Sequence, residues 1–306
     1  MTQVSYSPGL AGVVAAETRL SSVDGQAGEL ILAGYPVEAL APAVTFEEVL
    51  YLLWHDRLPA AAELATLRAA LAEQRALPPL TLDLLRAVAA TGAPVMDALR
   101  MAAGTVTVDV TGAALGNVPA EALALAARFP TIVAAYWRLR QGQAPLAPRA
   151  DLGHAANYLS MLTGAAPTPA HERALETYLN TVVDHGLNAS TFTARVIIST
   201  QSDLTSAMVG ALGALKGPLH GGAPGPALDM VFEIGTREQA EPVMRAKLAR
   251  GERLMGFGHR VYKVRDPRAE VLAQAAERLF TSGGDAGLYA LVQHVERTAV
   301  RLLAEH

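Results

Sequence analysis

The sequence has 306 residues, 51% of them hydrophobic and only 18% charged, which excludes a disordered chain and suffices for about two globular domains. A net charge of −4, from 25 basic and 29 acidic residues, offers no footprint for nucleic acid or an acidic membrane and favours a small-molecule ligand. Absence of cysteine rules out disulfides, a thiol nucleophile and thiolate metal sites, and with no leader-like start and no apolar run of about 18 residues the expectation is a soluble cytoplasmic protein.

In chain order, the best strand signal is Glu29-Leu30-Ile31-Leu32, between Gly28 and Gly34-Tyr35-Pro36, a short hairpin at most. Thr45-Phe46-Glu47-Glu48 has the form of a capping box, and Phe46, Val49, Leu50 and Leu53 then share one helix face until the stop at Pro59. Thr168-Pro169 reads as an N-cap with proline at the first helical position. Leu175, Tyr178, Leu179, Val182 and Val183 form the expected buried stripe of that helix, which ends near Gly186 and puts His185 at its C-terminus. Between Lys216 and Pro226 four glycines and three prolines interrupt the helical pattern. The domain boundary is placed there, between a large helical domain over 1–219 and a small, partial helical domain over 220–306.

Two further helix starts follow, a box-like one at Thr236 to Gln239 and a cap-plus-proline pair at Asp266-Pro267. Leu288, Leu291, Val292, Val295, Ala299 and Leu302 make the last stripe. The predicted class is mainly α.

Three histidines stand beside glycine: His185 in Asp184-His185-Gly186-Leu187-Asn188-Ala189-Ser190-Thr191, His220 in Leu219-His220-Gly221-Gly222, and His259 in Gly256-Phe257-Gly258-His259-Arg260. Each such position alone also fits an ordinary surface or capping histidine. Three in order, followed by Asp266-Pro267-Arg268, supply complementary parts of one chemistry. Imidazoles donate to a developing oxyanion, and an arginine grips a carboxylate through two parallel hydrogen bonds, so the expected substrate is anionic and carries a carbonyl. A three-histidine zinc site is the rival reading of the same residues. It has no HExxH-type pair behind it, and no metal is implied. His55, His154, His171, His294 and His306 need only solvated or capping roles. Arg253, Arg260 and Lys263 would suit a polyanionic cofactor, and equally a solvated basic face.

Taken together these stretches resemble the citrate synthases and 2-methylcitrate synthases. The resemblance runs from Gly9-Leu10-Ala11-Gly12-Val13 and Asp24-Gly25 through Thr45-Phe46-Glu47-Glu48 and Pro130-Thr131-Ile132-Val133-Ala134-Ala135. It continues in Asp184 to Thr191, Lys216-Gly217-Pro218-Leu219-His220-Gly221-Gly222, Gly256 to Lys263 and Asp266-Pro267-Arg268. It implies a nearly all-helical homodimer whose large and small domains close over a cleft, condensing acetyl-CoA with oxaloacetate. Acyl-CoA enters as a co-substrate, and no permanently bound cofactor is implied.

Carried over by residue, the resemblance makes His220 and His259 catalytic: His220 as donor to the thioester carbonyl, His259 as the group that polarises the oxaloacetate ketone. His185, His259 and Arg268 would bind oxaloacetate. Leu254, Gly256, Phe257 and Gly258 would receive the adenine end of CoA through backbone groups, with Arg260 and Lys263 on its phosphates. The family's general base is an aspartate in a motif of the form Asn-Val-Asp-Phe-Tyr-Ser-Gly, expected soon after the helix that reaches Ala304-Glu305-His306, and the sequence stops before it. The further arginines of the family's terminal segment are absent as well. Pro94-Val95-Met96-Asp97 stands where His-Pro-Met-Asp is common, and Gly221-Gly222-Ala223-Pro224-Gly225 where Gly-Gly-Ala-Asn-Glu is common. Use of propionyl-CoA, or a non-catalytic homologue that binds CoA or a dicarboxylate, are the alternatives.

Overall fold

Alternation brings Leu30 and Leu32 to one face of a strand, and in the computed structural model, which describes residues 13–110, 114–222, 224–258, 261–281 and 285–305, both are fully buried. They belong to β2 (Glu29–Leu32), the centre of an antiparallel sheet that β1 (Ser21–Asp24) and β3 (Tyr35–Pro36) complete, in the order β1-β2-β3. The sheet therefore has one strand more than the expected hairpin. Ser21-Ser22-Val23-Asp24 holds a single apolar residue and so gives no alternation to read.

Fourteen helices follow among the described residues. The short α1 (Val37–Leu40) leads to α2 (Phe46–His55), whose capping box forms as expected, the Thr45 N–H donating to Glu48 Oε2 at 2.7 Å. α2 ends at Asp56, in the left-handed region at φ 59°, ahead of Pro59. α2 packs with α3 (Ala61–Gln74) and the long α6 (Ala120–Arg140) around Leu50, Leu67, Leu71 and Leu123. α4 (Pro79–Thr91) and α5 (Val95–Ala103) cover the other side of α6 through Leu85, Ala98, Ile132 and Tyr136. α7 (His154–Thr163) and α8 (Pro169–Val182) lead into α9 (Ala189–Ser199) and α10 (Leu204–Leu215). A Cβ at Gly210 would stand 2.3 Å from Ile197 Cδ1, so a larger residue at this α9–α10 crossing would make the end of the Ile197 side chain swing aside.

A separate core gathers Met230, Ile234, Met244, Leu291, Val295 and Leu302 from α11 (Pro224–Ile234), α12 (Arg237–Ala249) and α14 (Ala286–Glu305). α13 (Pro267–Thr281) packs chiefly on α8 and sends Val271 into the β2–α1–α2 core. No helix among the described residues is long and apolar enough to cross a membrane.

Three expectations fail here, at α8, α12 and His154. α8 turns Glu176, Thr177, Asn180 and Thr181 inward and leaves Tyr178 and Val182 exposed, the reverse of the predicted stripe. The inward face must satisfy the carbonyls of the turn after α1: Asn180 Nδ2 donates to Ala41 O (3.2 Å) and Val44 O (2.9 Å). At α12, Thr236 takes the N-cap position without the side-chain bond that a capping box requires. His154 is also no solvated residue. It is buried, with its ring 4.7 Å from Phe46, and its backbone N–H donates to the buried Glu47 Oε1 at 2.9 Å.

Burial, aided by the Arg75 charge, pushes the His154 imidazole down from 6.5 to about 4. In the unfolded chain it takes up a proton near pH 6.5, in the fold only near 4, so its contribution is fully present above pH 6.5 and lost as pH falls through 4. Between pH 7.5 and 4.5 this amounts to roughly 2 kcal/mol of stability. Urea unfolding of wild type and His154→Asn at both pH values should show that much less pH dependence in the variant. Equal slopes would mean that His154 does not resist protonation in the fold.

Candidate active site

Two stretches distant in sequence meet at the N-terminus of α9, and a third meets the turn that leads into it. The first is the turn from Val183 to Asn188. α8 stops at Val182, so His185 sits in this turn and not on the helix end that periodicity suggested. Its half-buried ring lies edge-on to Tyr262, centroids 5.5 Å apart at 72°, with Nε2 3.0 Å from the Tyr262 hydroxyl. Burial pushes the Tyr262 phenol up to about 12, so it keeps its proton at neutral pH. Asn188 then caps α9, its Oδ1 accepting from Thr191 N–H (3.0 Å), with Ser190 Oγ 2.8 Å away.

The second stretch is the Gly-Pro segment between α10 and α11. It folds on itself, His220 and Gly222 both donating N–H to Gly217 O at 2.9 and 3.2 Å. Lys216, at its base, is ion-paired with Asp97 of α5 and holds that carboxyl below its ordinary value. His220 Nε2 lies 2.8 Å from Ser190 Oγ and 3.4 Å from Ser190 N. An amide N–H can only donate, so with Nε2 as its acceptor the one proton of the Ser190 hydroxyl also turns to Nε2 rather than to Asn188, and the ring proton belongs to Nδ1. This leaves an N–H donor on the ring edge opposite Ser190. Ser190→Ala should lower turnover about tenfold, the worth of one hydrogen bond, while leaving oxaloacetate binding intact. Steady-state kcat beside direct oxaloacetate titration checks this, and a loss of binding instead would contradict it.

The third stretch joins Tyr262 to the start of α13. Arg268 is half-buried and paired side-on with Asp266, Nε to Oδ1 at 3.0 Å and Nη2 to Oδ2 at 2.7 Å. Asp266 Oδ1 also accepts the Arg268 backbone N–H at 2.9 Å, fixing both partners to the helix start. The end-on fork of the guanidinium, Nη1 with the second N–H of Nη2, is left to meet a carboxylate.

The expected CoA residues are differently placed. Leu254 buries its side chain in the α11–α12–α14 core, so only its backbone is open to a ligand, and Phe257 packs against the same core. Gly256 and Gly258 have φ of 89° and 87°, and Gly256 abuts Ala227 of α11, the helix that follows the His220 segment. Lys263 is exposed. His259 and Arg260 lie outside the described residues. Asn188, Ser190, Tyr262 and Asp266 complete the site without having been singled out, although all four stand inside the stretches that carry the histidines and Arg268.

Among the described residues no three His, Asp or Glu side chains are grouped to hold a metal. A cavity of about 350 Å³ lined by Phe232, Thr236, Arg237, Asp285 and Leu288 lies apart from this convergence. The positive dipole end of α9 instead gives the convergence a surface suited to an anion.

A comparison with protein families matches residues 9–306 to "Citrate synthase, C-terminal domain". The chain belongs to the citrate synthase family. It is 42% identical over 291 residues to citrate synthase 2 of Bacillus subtilis, covering 94% of this chain and 78% of the relative. It is 44% identical over 276 residues to the 2-methylcitrate synthase of Mycobacterium tuberculosis H37Rv, covering 89% and 70%. Among solved structures, citrate synthase from Thermoplasma acidophilum in ternary complex with carboxymethyl coenzyme A and oxaloacetate superposes with a TM-score of 0.88 at 29% identity, over 98% of this chain and 80% of that one. Citrate synthase from Thermotoga maritima gives a TM-score of 0.82 at 37% identity, over 96% and 78%. These citrate synthases share the helical fold described above.

Proposed function

We propose that the chain acts as a citrate synthase, condensing acetyl-CoA with oxaloacetate and water to give citrate and CoA. The observation that carries this reading is that Ser190, at the N-terminus of α9, holds the His220 ring while His185, in the turn just before α9, meets Tyr262, whose phenol feels the Asp266–Arg268 pair. In this reading the open fork of Arg268 and the His185 ring hold the carboxylates of oxaloacetate. Binding thereby replaces a costly bimolecular encounter. The His220 Nδ1–H donates to the thioester oxygen as a carboxylate base, the aspartate that the family resemblance implies, takes a proton from the acetyl methyl and negative charge moves onto that oxygen. The carbon so activated attacks the ketone carbon, whose oxygen His259 polarises. Backbone groups from Leu254 to Gly258 receive the adenine end of CoA, with Arg260 and Lys263 near its phosphates.

The same proposal includes a large domain over 1–219 and a small one over 220–306, with α13 spanning the join. The separate core of α11, α12 and α14 supports that division. It also includes a cytoplasmic homodimer. Support for a second copy comes from α9, none of whose eleven residues is buried, and from exposed Val196 and Ile198 on it. The cytoplasmic setting rests on the cysteine-free composition.

The test is CoA release by the purified 306-residue chain from acetyl-CoA or propionyl-CoA in the presence of oxaloacetate, beside calorimetric titration of each ligand. Oxaloacetate-dependent release with acetyl-CoA preferred is the expected result. Preference for propionyl-CoA would move the chain to 2-methylcitrate synthesis. Binding of both ligands without release would leave the holding roles standing and refute turnover by these residues alone. Failure to bind oxaloacetate would sink the reading.

A further inference from the structure

The β1–β2 hairpin holds no residue with an assigned chemical role, yet it touches both segments that form the oxaloacetate side of the site. Ser21 on β1 donates its hydroxyl to Asp184 Oδ1 (2.5 Å) and accepts the Gly186 N–H (2.7 Å), so it brackets His185 from both neighbours in the chain. At the other end of the strand, Asp24 Oδ1 accepts from the N–H groups of Gln26 (2.8 Å) and Ala27 (2.9 Å), and Gly28 N–H donates to Asp24 O (2.9 Å). The turn is thereby fixed from within.

The Val261 to Arg265 segment lies directly on that turn. Lys263 N–H donates to Gly25 O at 2.8 Å, and a Cβ on Gly25 would stand 2.3 Å from Val261 O and 2.8 Å from Val261 C. No side chain fits there, since the obstacle is backbone and cannot swing aside. Tyr262 is carried in this segment, 4% exposed, with its hydroxyl on His185 Nε2. The hairpin itself is anchored, because its second strand buries Leu30 and Leu32 in a core shared with α1, α2 and α13.

We propose that this hairpin is a clamp that sets the His185–Tyr262 hydrogen bond, with Ser21, Gly25 and Tyr262 as positioning residues for oxaloacetate. The inference rests on the proposed oxaloacetate role of His185. Two loops separated by 77 positions each have their own freedom, and a ring displaced by about 1 Å loses much of its value for orienting a substrate. One rigid strand that holds the backbone beside His185 at its start and the Tyr262 segment at its end removes both freedoms together. The hydroxyl of Tyr262 then fixes which way the imidazole faces.

The test uses Ser21→Ala, Gly25→Ala and Tyr262→Phe in the full chain, with Ser21→Thr as the conservative partner that keeps a hydroxyl. The substrate-free readout is the ¹⁵N resonance pair of the His185 ring. Tyr262→Phe should shift it, Ser21→Ala and Gly25→Ala should shift it the same way, and Ser21→Thr should return it to the wild-type position. In titrations the first three variants should bind oxaloacetate about tenfold more weakly, with acetyl-CoA binding within twofold of wild type. If Gly25→Ala does not fold, Ser21→Ala and Tyr262→Phe carry the test. A His185 resonance unmoved by Ser21→Ala, or equal weakening of both ligands, would overturn the clamp. Should wild type bind no oxaloacetate, the proposed function fails on that titration, while the substrate-free resonances still decide whether the hairpin orients His185.

Discussion

Replacing His220 by alanine is expected to lower CoA release by about 10²–10³-fold, with oxaloacetate affinity changed by less than about twofold. The argument is geometric. Ser190 engages Nε2 from both its amide and its hydroxyl, so the ring is held as the tautomer that presents Nδ1–H. That donor faces a carbonyl whose oxygen gains charge only on the way to the enolate, so the loss should fall on kcat and leave ground-state binding almost untouched. His220→Gln can offer an N–H from a different position and should recover part of the loss. If His220→Ala instead raised KM for oxaloacetate with kcat unchanged, His220 would belong to the holding group with Arg268, and the chemistry would need another donor.

The second large effect is expected at Arg268. Arg268→Ala should raise KM for oxaloacetate about 100-fold, because it removes the end-on fork and also leaves the partly buried Asp266 carboxylate, 23% exposed, without its bidentate partner. That carboxylate would then present negative charge to an anionic substrate. Arg268→Lys keeps the charge but cannot bind side-on to Asp266 and end-on to a ligand at once, so it should recover little. Adding Asp266→Asn to Arg268→Ala separates the two causes. If the double variant binds oxaloacetate better than Arg268→Ala alone, repulsion from Asp266 is part of the loss; identical KM values would assign the whole effect to the missing fork. A KM within threefold of wild type for Arg268→Ala would exclude Arg268 from the substrate site.

Local signals announced much of this architecture. The Thr45–Glu48 box, the Thr168-Pro169 and Asp266-Pro267 starts and, apart from the exposed Val292, the α14 stripe each depend on a few neighbouring residues, and each formed where those residues stand. Two of the glycine-flanked histidines, His185 and His220, stand at or just before the start of α9 for a similarly local reason, since both lie at breaks between helices. What sequence could not reveal depends on distant partners. The inward face of α8 is chosen by carbonyls after α1, so its polar residues bury and its apolar stripe does not. His154 is buried because Phe46 and Glu47 of α2 meet it, more than a hundred positions away. Ser21 lies 163 positions from Asp184, and no periodicity connects a serine in a weak strand to a histidine loop.

The lack of any buried residue in α9 has a consequence for how the site behaves on dilution. Asn188 and Ser190, which set the helix start and the His220 tautomer, ride on an element whose main helix neighbour among the described residues is α10. An eleven-residue helix is marginal in water, so the order of these two residues is borrowed from whatever shields α9. With a second copy as the shield, specific activity becomes a function of protein concentration: it should fall as the chain is diluted past its dissociation point. Oxaloacetate should restore it, because a ligand gripped by the ordered form draws the subunits back together.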